Sequence, residues 1–393
     1  MKTTGRRSAS AARAVAILHA GFVLTGIVTT LLGPILPILS ARWHLSDSQA
    51  GYLFTSQFAG SIIGVSLSSA LLPRTGFKRT LALAFILMAL GVGVLMSGSW
   101  LAGMASVFSY GLGLGTSIPA TNLFISDLNP TRRSAALNIL NLAWGAGAVA
   151  SPALTALALR IGNPQLLFSG LAAAALIVAV ACASVSAIEA PSAGEPPVVT
   201  WSSPWRSRYI PVLALMFFLY VGTENAVGGW AATYAKRLSL HAGSEWVLAP
   251  SFFWASLLTG RAIAPLVLHH MADLKLSLMG LMIAAFGIAS LLAAHTLHAV
   301  FISVAITGLG LAAVFPITIA ALSHCLGEAA VRVAGAMFAL GGLGGAGLPW
   351  LVGFASERSG SLRLGFAVPL AGALLMAAIE LSRLRLPGGV SQP

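Results

Sequence analysis

Charged side chains are scarce in this sequence of 393 residues, since Asp, Glu, Lys and Arg together make up only 8% of it. Soluble domains average about 25%, and a soluble fold with so few charges would have little to cover its surface. Hydrophobic residues account for 57% of the chain, and roughly 20 apolar residues span a bilayer as a helix. The composition therefore predicts an all-α polytopic membrane protein.

Disulfide, metal and nucleotide motifs are also missing. The two cysteines, Cys182 and Cys325, lie in apolar runs, which excludes a disulfide framework and a thiolate metal site. No Gly-x4-Gly-Lys-Ser/Thr pattern is present, so nothing indicates ATP hydrolysis. His269 and His270 lack further ligands at metal-binding spacing, and no Ser-His-Asp or Cys-His arrangement can be drawn. We expect no cofactor, no metal and no enzymatic activity.

The apolar runs predict twelve transmembrane helices. We place them at residues 14–40, 48–72, 79–98, 101–127, 134–158, 166–187, 209–235, 246–268, 276–295, 298–324, 331–354 and 362–382. Of the 22 lysines and arginines, fifteen then fall on the side shared by the two termini and six on the other, with Arg261 inside a span. Because positively charged loops stay cytoplasmic, we expect cytoplasmic termini. The net charge of +12 is thus a topology signal and does not indicate a nucleic-acid partner.

A proline-rich segment, 189–208, divides the chain into two halves of six spans each. Its prolines and carboxylates cannot be satisfied in hydrocarbon, so we interpret it as a cytoplasmic linker between an N-terminal bundle, 1–188, and a C-terminal bundle, 209–393. The tetrapeptide Gly-Leu-Gly-Leu occurs at 111–114 and again at 308–311, an offset of 197. Two such halves are expected to be related by a pseudo-two-fold axis along the membrane normal, with a substrate site near the bilayer midplane.

Glu224 is the acid that lies deepest in a predicted span. It falls about fifteen residues into the seventh span, near mid-depth at a rise of ~1.5 Å per residue. Ionisable groups inside spans are costly and are usually paired or functional. Such a carboxyl group can carry a proton or accept hydrogen bonds from substrate hydroxyls. Alternatively, it is hydrogen-bonded to neighbouring helices and holds the seventh span in place.

Amides and indoles accompany this acid in the apolar spans. Amides exchange hydrogen bonds with sugar hydroxyls, an aromatic ring packs on the apolar face of a pyranose, and ligand pockets combine apolar walls with a few polar groups. Each of these residues could instead be a helix-packing contact or an interface anchor. The predicted substrate-binding set is Gln57, Asn122, Asn138, Asn141, Trp144, Glu224, Asn225, Trp230, Trp254 and Trp350.

Charged residues near the predicted cytoplasmic helix ends form a second set, which we assign to gating. In this set Arg132 or Arg133 neutralises Asp127, and Arg261 ties the gate to helix ends or to Asp273. Arg261 could instead bind an anionic substrate, which leaves a second function open. The predicted gating residues are Arg74, Asp127, Arg132, Arg133, Arg261 and Asp273.

Several stretches resemble a known family. The segment Tyr-Val-Gly-Thr-Glu-Asn at 220–225 is similar to the Tyr-Val-Gly-x-Glu segment of the fucose, glucose and galactose permease branch of the major facilitator superfamily. The runs 111–127 and 129–147 resemble the same branch. The loop between the second and third spans keeps Arg74, Gly76, Lys78 and Arg79 of the superfamily signature but has Pro73 in place of its aspartate.

The resemblance implies a monomeric secondary transporter in the cell (inner) membrane. It would move a hexose-type sugar by alternating access, as a proton symporter or a uniporter. Proton-coupled fucose permeases carry acids in the first and fourth spans, where this chain has threonines and, near one end, Asp127. Any proton coupling must therefore rest mainly on Glu224. The alternative is a drug or organic-anion exporter of the same superfamily, with Arg261 as the counter-charge.

Overall fold

The computed structural model describes residues 2–184, 209–239, 243–326 and 329–385. Helices make up nearly all of these ranges, which contain no strand, and a short 3-10 turn, Glu245–Leu248, precedes α8. The helices are α1 (Lys2–Thr30), α2 (Leu32–Trp43), α3 (Asp47–Val94), α4 (Trp100–Leu128), α5 (Arg133–Arg160), α6 (Gln165–Ser184), α7 (Tyr209–Leu238), α8 (Ala249–Leu268), α9 (Asp273–Ala293), α10 (Leu297–Leu311), α11 (Val314–Leu326), α12 (Ala329–Ser359), α13 (Leu362–Gly365) and α14 (Ala367–Arg385).

Within the described ranges, eleven helical runs are long and apolar enough to cross a membrane. The 48-residue helix α3 accounts for the difference from the twelve predicted spans, because at ~1.5 Å per residue it is more than twice the ~30 Å hydrocarbon thickness. At Gly76 the backbone leaves the helical region, with φ 72° and ψ 172°, a conformation that favours glycine. Gly76 lies between the predicted spans 48–72 and 79–98, so α3 is two spans. The all-α fold with twelve spans is confirmed.

Two other predicted spans are interrupted, each shortly before a proline. The first span divides at Leu31 into α1 and α2, three residues before Pro34, and the tenth divides at 312–313 into α10 and α11, ahead of Pro316. Proline has no backbone N–H, so the carbonyl four residues earlier loses its helical partner. The predicted spans were therefore right in position, whereas these two breaks were not anticipated.

The first compact unit comprises Met1–Ile35 and Ser56–Val198. In it, α1 packs against α5, α4 and α6. Glycine permits the closest of these approaches: a Cβ atom at Gly26 would lie 2.0 Å from the carbonyl oxygen of Trp144, and one at Gly147 would lie 2.0 Å from that of Val23. Membrane helices associate largely through such close packing of small residues.

The second compact unit comprises Leu36–Thr55 and Val199–Pro393. In it, α7 packs against α12, α14 and α10, and α9 packs against α10 and α14. The segment Leu36–Thr55 precedes the predicted linker in sequence but groups with this later unit. The bundle boundaries 1–188 and 209–393 stay a prediction, and the predicted linker 189–208 lies outside the described residues.

A cluster of ionic and hydroxyl bonds holds Leu36–Thr55 in the second unit. Asp47, in the first turn of α3, accepts hydrogen bonds from Arg237 at the end of α7, over 3.0 Å from Nη1, and from Ser356 of α12. Glu357 accepts from the Ser46 hydroxyl at 2.8 Å and from the backbone N–H of Ser48 at 3.0 Å. We call these residues the Asp47 cluster. It lies at the ends of α7 and α12 that we predict to face away from the cytoplasm.

The sequence repeat corresponds to the same close helix approach in each unit. A Cβ atom at Gly111 would lie 2.3 Å from the carbonyl oxygen of Gln57, and one at Gly308 would lie 2.3 Å from that of Phe253. A backbone-to-backbone approach of this kind tolerates no side chain. The repeated Gly-Leu-Gly-Leu therefore has a packing role in both units.

Gly344 provides a test of this packing. A Cβ atom there would lie 1.9 Å from the carbonyl oxygen of Phe218, whereas one at Gly335, on the same helix α12, would meet nothing within 4 Å. We expect Gly344→Ala to lower the free energy of unfolding by about 1–3 kcal/mol, as for overpacked cores. Gly335→Ala should leave it unchanged or raise it slightly. Melting temperatures of the purified variants in detergent measure both effects, and equal melting temperatures would contradict the described α7–α12 contact.

Candidate functional site

Three polar side chains meet inside the second unit, in otherwise apolar surroundings. Tyr220 and Glu224 are four residues apart on α7 and so share one helix face, and the Tyr220 hydroxyl donates to Glu224 Oε1 over 3.0 Å. From α8, Arg261 Nη2 donates to the same Oε1 at 3.0 Å and to the Tyr220 hydroxyl at 3.1 Å. We call Tyr220, Glu224 and Arg261 the polar triad. Each of its hydrogen bonds involves a charged group, which strengthens it.

The triad is mostly buried among the helices, but two of its three side chains are partly exposed. The Tyr220 side chain is buried and stacks on Phe315 of α11, with ring centroids 5.1 Å apart. The side chain of Glu224 is 12% exposed and that of Arg261 is 30% exposed. Arg261 Nε is buried and has no hydrogen-bond partner among the described residues. The triad therefore combines a buried donor without a partner among the described residues and a partly exposed edge.

Arg261 has a different partner from the one the sequence led us to expect. We predicted contacts with helix ends or Asp273, but the residue forms its ion pair with Glu224. The reason is its direction from α8: the guanidinium group reaches across to the middle of α7 instead of along its own helix. This placement joins a predicted gating residue to the predicted binding acid.

The other predicted gating residues lie at the surface in this structure. Arg74, Asp127, Arg132 and Arg133 are exposed, and Asp273 is half-buried in the first turn of α9. Ion pairs among the described residues are limited to Asp47–Arg237, Glu224–Arg261 and Glu380–Arg383. Asp127 thus has no ionic partner within the described ranges, and the gating role of this set stays a prediction.

The predicted binding amides differ in how many hydrogen bonds they have left to offer. Gln57 is buried, donates to the Thr29 carbonyl over 3.0 Å and accepts from the Tyr110 hydroxyl over 2.9 Å. Asn122 and Asn225 each donate, over 2.8 Å, to the carbonyl four residues earlier in their own helices. The two remaining amides, Asn138 and Asn141, are exposed on α5. The Gln57 amide is therefore largely occupied by its hydrogen bonds to α1 and α4, whereas the exposed amides of Asn138 and Asn141 keep their capacity for hydrogen bonding.

The predicted tryptophans also differ in burial and in the contacts of their rings. Trp230 is fully buried, and its Nε1 donates to the Pro349 carbonyl over 2.8 Å. Trp254 is buried, and its ring lies edge-on to Phe253. Trp144 and Trp350 are half-buried, and Trp350 Nε1 is a buried donor without a partner in the described structure. Contact between Trp230 and a substrate would require its packing on α12 to open.

The ten predicted binding residues are distributed equally between the two units. Gln57, Asn122, Asn138, Asn141 and Trp144 lie in the first unit, and Glu224, Asn225, Trp230, Trp254 and Trp350 lie in the second. Sequence reasoning did not assign a site role to Tyr220. The available signal was its spacing of four residues from Glu224, which places both side chains on one helix face.

Comparison with known proteins agrees with this description. The sequence matches the model of the Major Facilitator Superfamily over residues 18–349. It is 24% identical to a glucose/galactose transporter of Brucella abortus over 371 residues, 89% of each chain, which confirms the resemblance to the sugar-permease branch. It is 36% identical to an uncharacterized MFS-type transporter, YcaD, of Escherichia fergusonii, over 26% of this chain and 27% of that protein. The crystal structure of a D-xylose-proton symporter superposes with a TM-score of 0.75 at 16% identity, covering 94% of this chain and 96% of that one.

The Glu224–Arg261 pair can be tested by a double-mutant cycle. Removing one partner leaves the other as an uncompensated charge, while Glu224→Gln with Arg261→Gln leaves two neutral amides. We therefore expect Arg261→Gln alone to lower stability more than the double substitution does, with a coupling energy of about 1–3 kcal/mol, as for residues in contact. Thermal unfolding of the four proteins in detergent measures the cycle. Purely additive effects would show that the two side chains do not interact.

Proposed function

The chain belongs to the major facilitator superfamily, and from this premise we propose that it moves a hexose-type sugar across the membrane by alternating access. The observation that carries the proposal is the polar triad: an accessible carboxylate and guanidinium inside the apolar helices of a transporter. The related glucose/galactose transporter of Brucella abortus supports the substrate class. We further propose that the protein is a monomer in the cell (inner) membrane, with both termini and the segment 189–208 on the cytoplasmic side.

The chemistry of the triad fits a polyol. Sugar hydroxyls both donate and accept, and the triad provides both functions, because Arg261 keeps unused N–H groups and Glu224 uses only Oε1 in the described hydrogen bonds. In the same unit, Trp350 adds a ring that stacks on Phe354 and lies tilted against Tyr52, together with an unpartnered Nε1. Aromatic faces with a few oriented polar groups are typical of small-molecule sites.

Transport is either proton-coupled or uniport, and Glu224 is the residue on which the difference depends. The threonines of the first span are engaged locally, since Thr25 and Thr29 donate to carbonyls of α1. Asp127 is exposed at the end of α4. Of the carboxyl groups considered for coupling, Glu224 is therefore the one within hydrogen-bond distance of a fixed positive charge. We propose that gating involves Arg74, Asp127, Arg132, Arg133, Arg261 and Asp273.

One observation favours the second candidate, an exporter of organic anions. Arg261 carries a positive charge inside the helices and has a buried Nε with no partner in the described structure, and arginine binds carboxylates well. A drug or organic-anion exporter would use this group as its counter-charge.

The sugar proposal is tested by uptake of labelled glucose and galactose into proteoliposomes, with and without an inward proton gradient. We expect saturable uptake by the wild type and a reduction of at least about tenfold in Glu224→Gln, the effect of losing roughly 1.4 kcal/mol of binding. The matched control is Glu245→Gln, which removes an exposed carboxylate outside the triad. Stimulation by the gradient would indicate symport, and its absence uniport. No hexose uptake by correctly folded protein would overturn the proposal and favour the exporter.

A further inference from the structure

We propose that the preferred sugar carries a carboxylate, as a hexuronate or an aldonate does, and that this group replaces Glu224 as the counter-ion of Arg261. Glu224 takes up a proton in the same step, so that one proton enters with each sugar acid. This inference rests on the proposed sugar transport and specifies its substrate class.

The charge balance of the triad couples the binding of a carboxylate to the protonation of Glu224. Arginine stays charged in proteins, so an ionised Glu224 and Arg261 together carry no net charge. Binding of a carboxylate alone would leave one negative charge, and protonation of Glu224 alone would leave one positive charge. Either state places an uncompensated charge among membrane-spanning helices, which is costly. When both events occur together the sum is zero, and by linkage each must favour the other.

The hydrogen bonds of Arg261 leave room for a second carboxylate. Its guanidinium has five N–H donors, but only Nη2 is engaged, by Glu224 Oε1 and the Tyr220 hydroxyl. Neither Nη1 nor Nε has a hydrogen-bond partner among the described residues, and Nε is buried. A ligand carboxylate that takes the place of Glu224 would accept from Nη1 and Nη2 together, since guanidinium groups commonly bind carboxylates through two N–H groups at once. The exposed fraction of Arg261, 30% of its side chain, gives the ligand access.

Few other charged or titratable groups bear on this exchange. Among the described residues, Glu224 faces Tyr220 on its own helix and Arg261 on α8. From α11 the contact to the triad is Phe315, which stacks on Tyr220. Close contacts of α12 and α14 with this part of α7 are made by Gly341, Gly344 and Gly372, which carry no charge. The proton is therefore taken up at the Glu224 carboxylate, and Tyr220 holds this group in line with Arg261.

The single arginine also sets the charge of the ligand. A carboxylated sugar carries one negative charge, which Arg261 neutralises once Glu224 is protonated. A phosphorylated sugar carries about −1.5 to −2 charges near neutral pH, so one arginine would leave it partly uncompensated. The triad therefore selects a monocarboxylate over a sugar phosphate, and hydroxyl groups on the same ligand meet the remaining polar atoms.

The test is uptake of labelled galacturonate into proteoliposomes of the wild-type protein. One proton per monoanion makes transport electroneutral, so an inward gradient of one pH unit should drive tenfold accumulation, and a membrane potential should add nothing. Glu224→Gln keeps the Arg261 charge but removes the proton acceptor. It should still exchange external for internal galacturonate while losing accumulation, even though it transports little hexose.

A matched variant separates the anion site from general damage. The double variant Glu224→Gln with Arg261→Gln has the same residue at position 224 and no charged pair, and it should lose galacturonate exchange at least tenfold relative to Glu224→Gln. Hexose transport without transport of, or competition by, galacturonate would overturn this inference and leave the proposed function standing. Galacturonate transport without hexose transport would support the inference and overturn the proposed transport of neutral hexoses. Transport of neither would overturn both.

Gradient-driven accumulation in Glu224→Gln would also overturn the inference, because another group would then carry the proton. Electrogenic uptake of galacturonate by the wild type would do the same, since the charge balance of the triad would not hold.

Discussion

A charge inside hydrocarbon is tolerated only beside a partner, and the rest of this structure is arranged around that constraint. The described helices contain three ion pairs. Asp47–Arg237 joins the start of α3 to the end of α7, and Glu380–Arg383 stays within α14, where Ser277 of α9 also donates to Glu380. Only Glu224–Arg261 joins the interiors of two spanning helices. The first two pairs therefore secure helix ends, whereas the third is the one on which we base the proposed substrate site.

Compensation of charge also links binding to coupling. Under the proposed exchange, a neutral sugar would leave the Glu224–Arg261 pair intact and need no proton, while a sugar acid would replace the carboxylate and require one. In this proposal the same three side chains serve a uniport mode and a symport mode, and the charge of the solute decides between them. Tyr220 is the shared element, because it donates to Glu224 and accepts from Arg261 in the same arrangement.

Much of the fold follows from local sequence properties. Apolar runs located the twelve spans, and the Gly-Leu-Gly-Leu repeat marked equivalent helix approaches, because span length and small-residue packing are properties of short segments. The breaks before Pro34 and Pro316 were missed. Proline can cause such a break, but its presence alone does not predict one, because Pro119 lies within an uninterrupted α4.

The polar triad was half predicted. Depth in the span singled out Glu224, but its pairing with Arg261 depends on how α7 and α8 are rotated about their axes, which the local sequence does not specify. For the same reason, sequence could not distinguish Gln57, whose amide is engaged in packing, from Asn141, whose amide is exposed.

The most direct test of the central claim is to measure charge and proton movement together. Purified protein on a solid-supported membrane, with a pH indicator in the vesicle lumen, is given a pulse of galacturonate without a pH gradient. Exchange of Glu224 for the substrate carboxylate at Arg261 predicts that the lumen acidifies by one proton per galacturonate and that no current flows. A current without acidification would contradict the account, because the sugar acid would then enter as a bare anion and Arg261 would keep Glu224 as its counter-ion throughout.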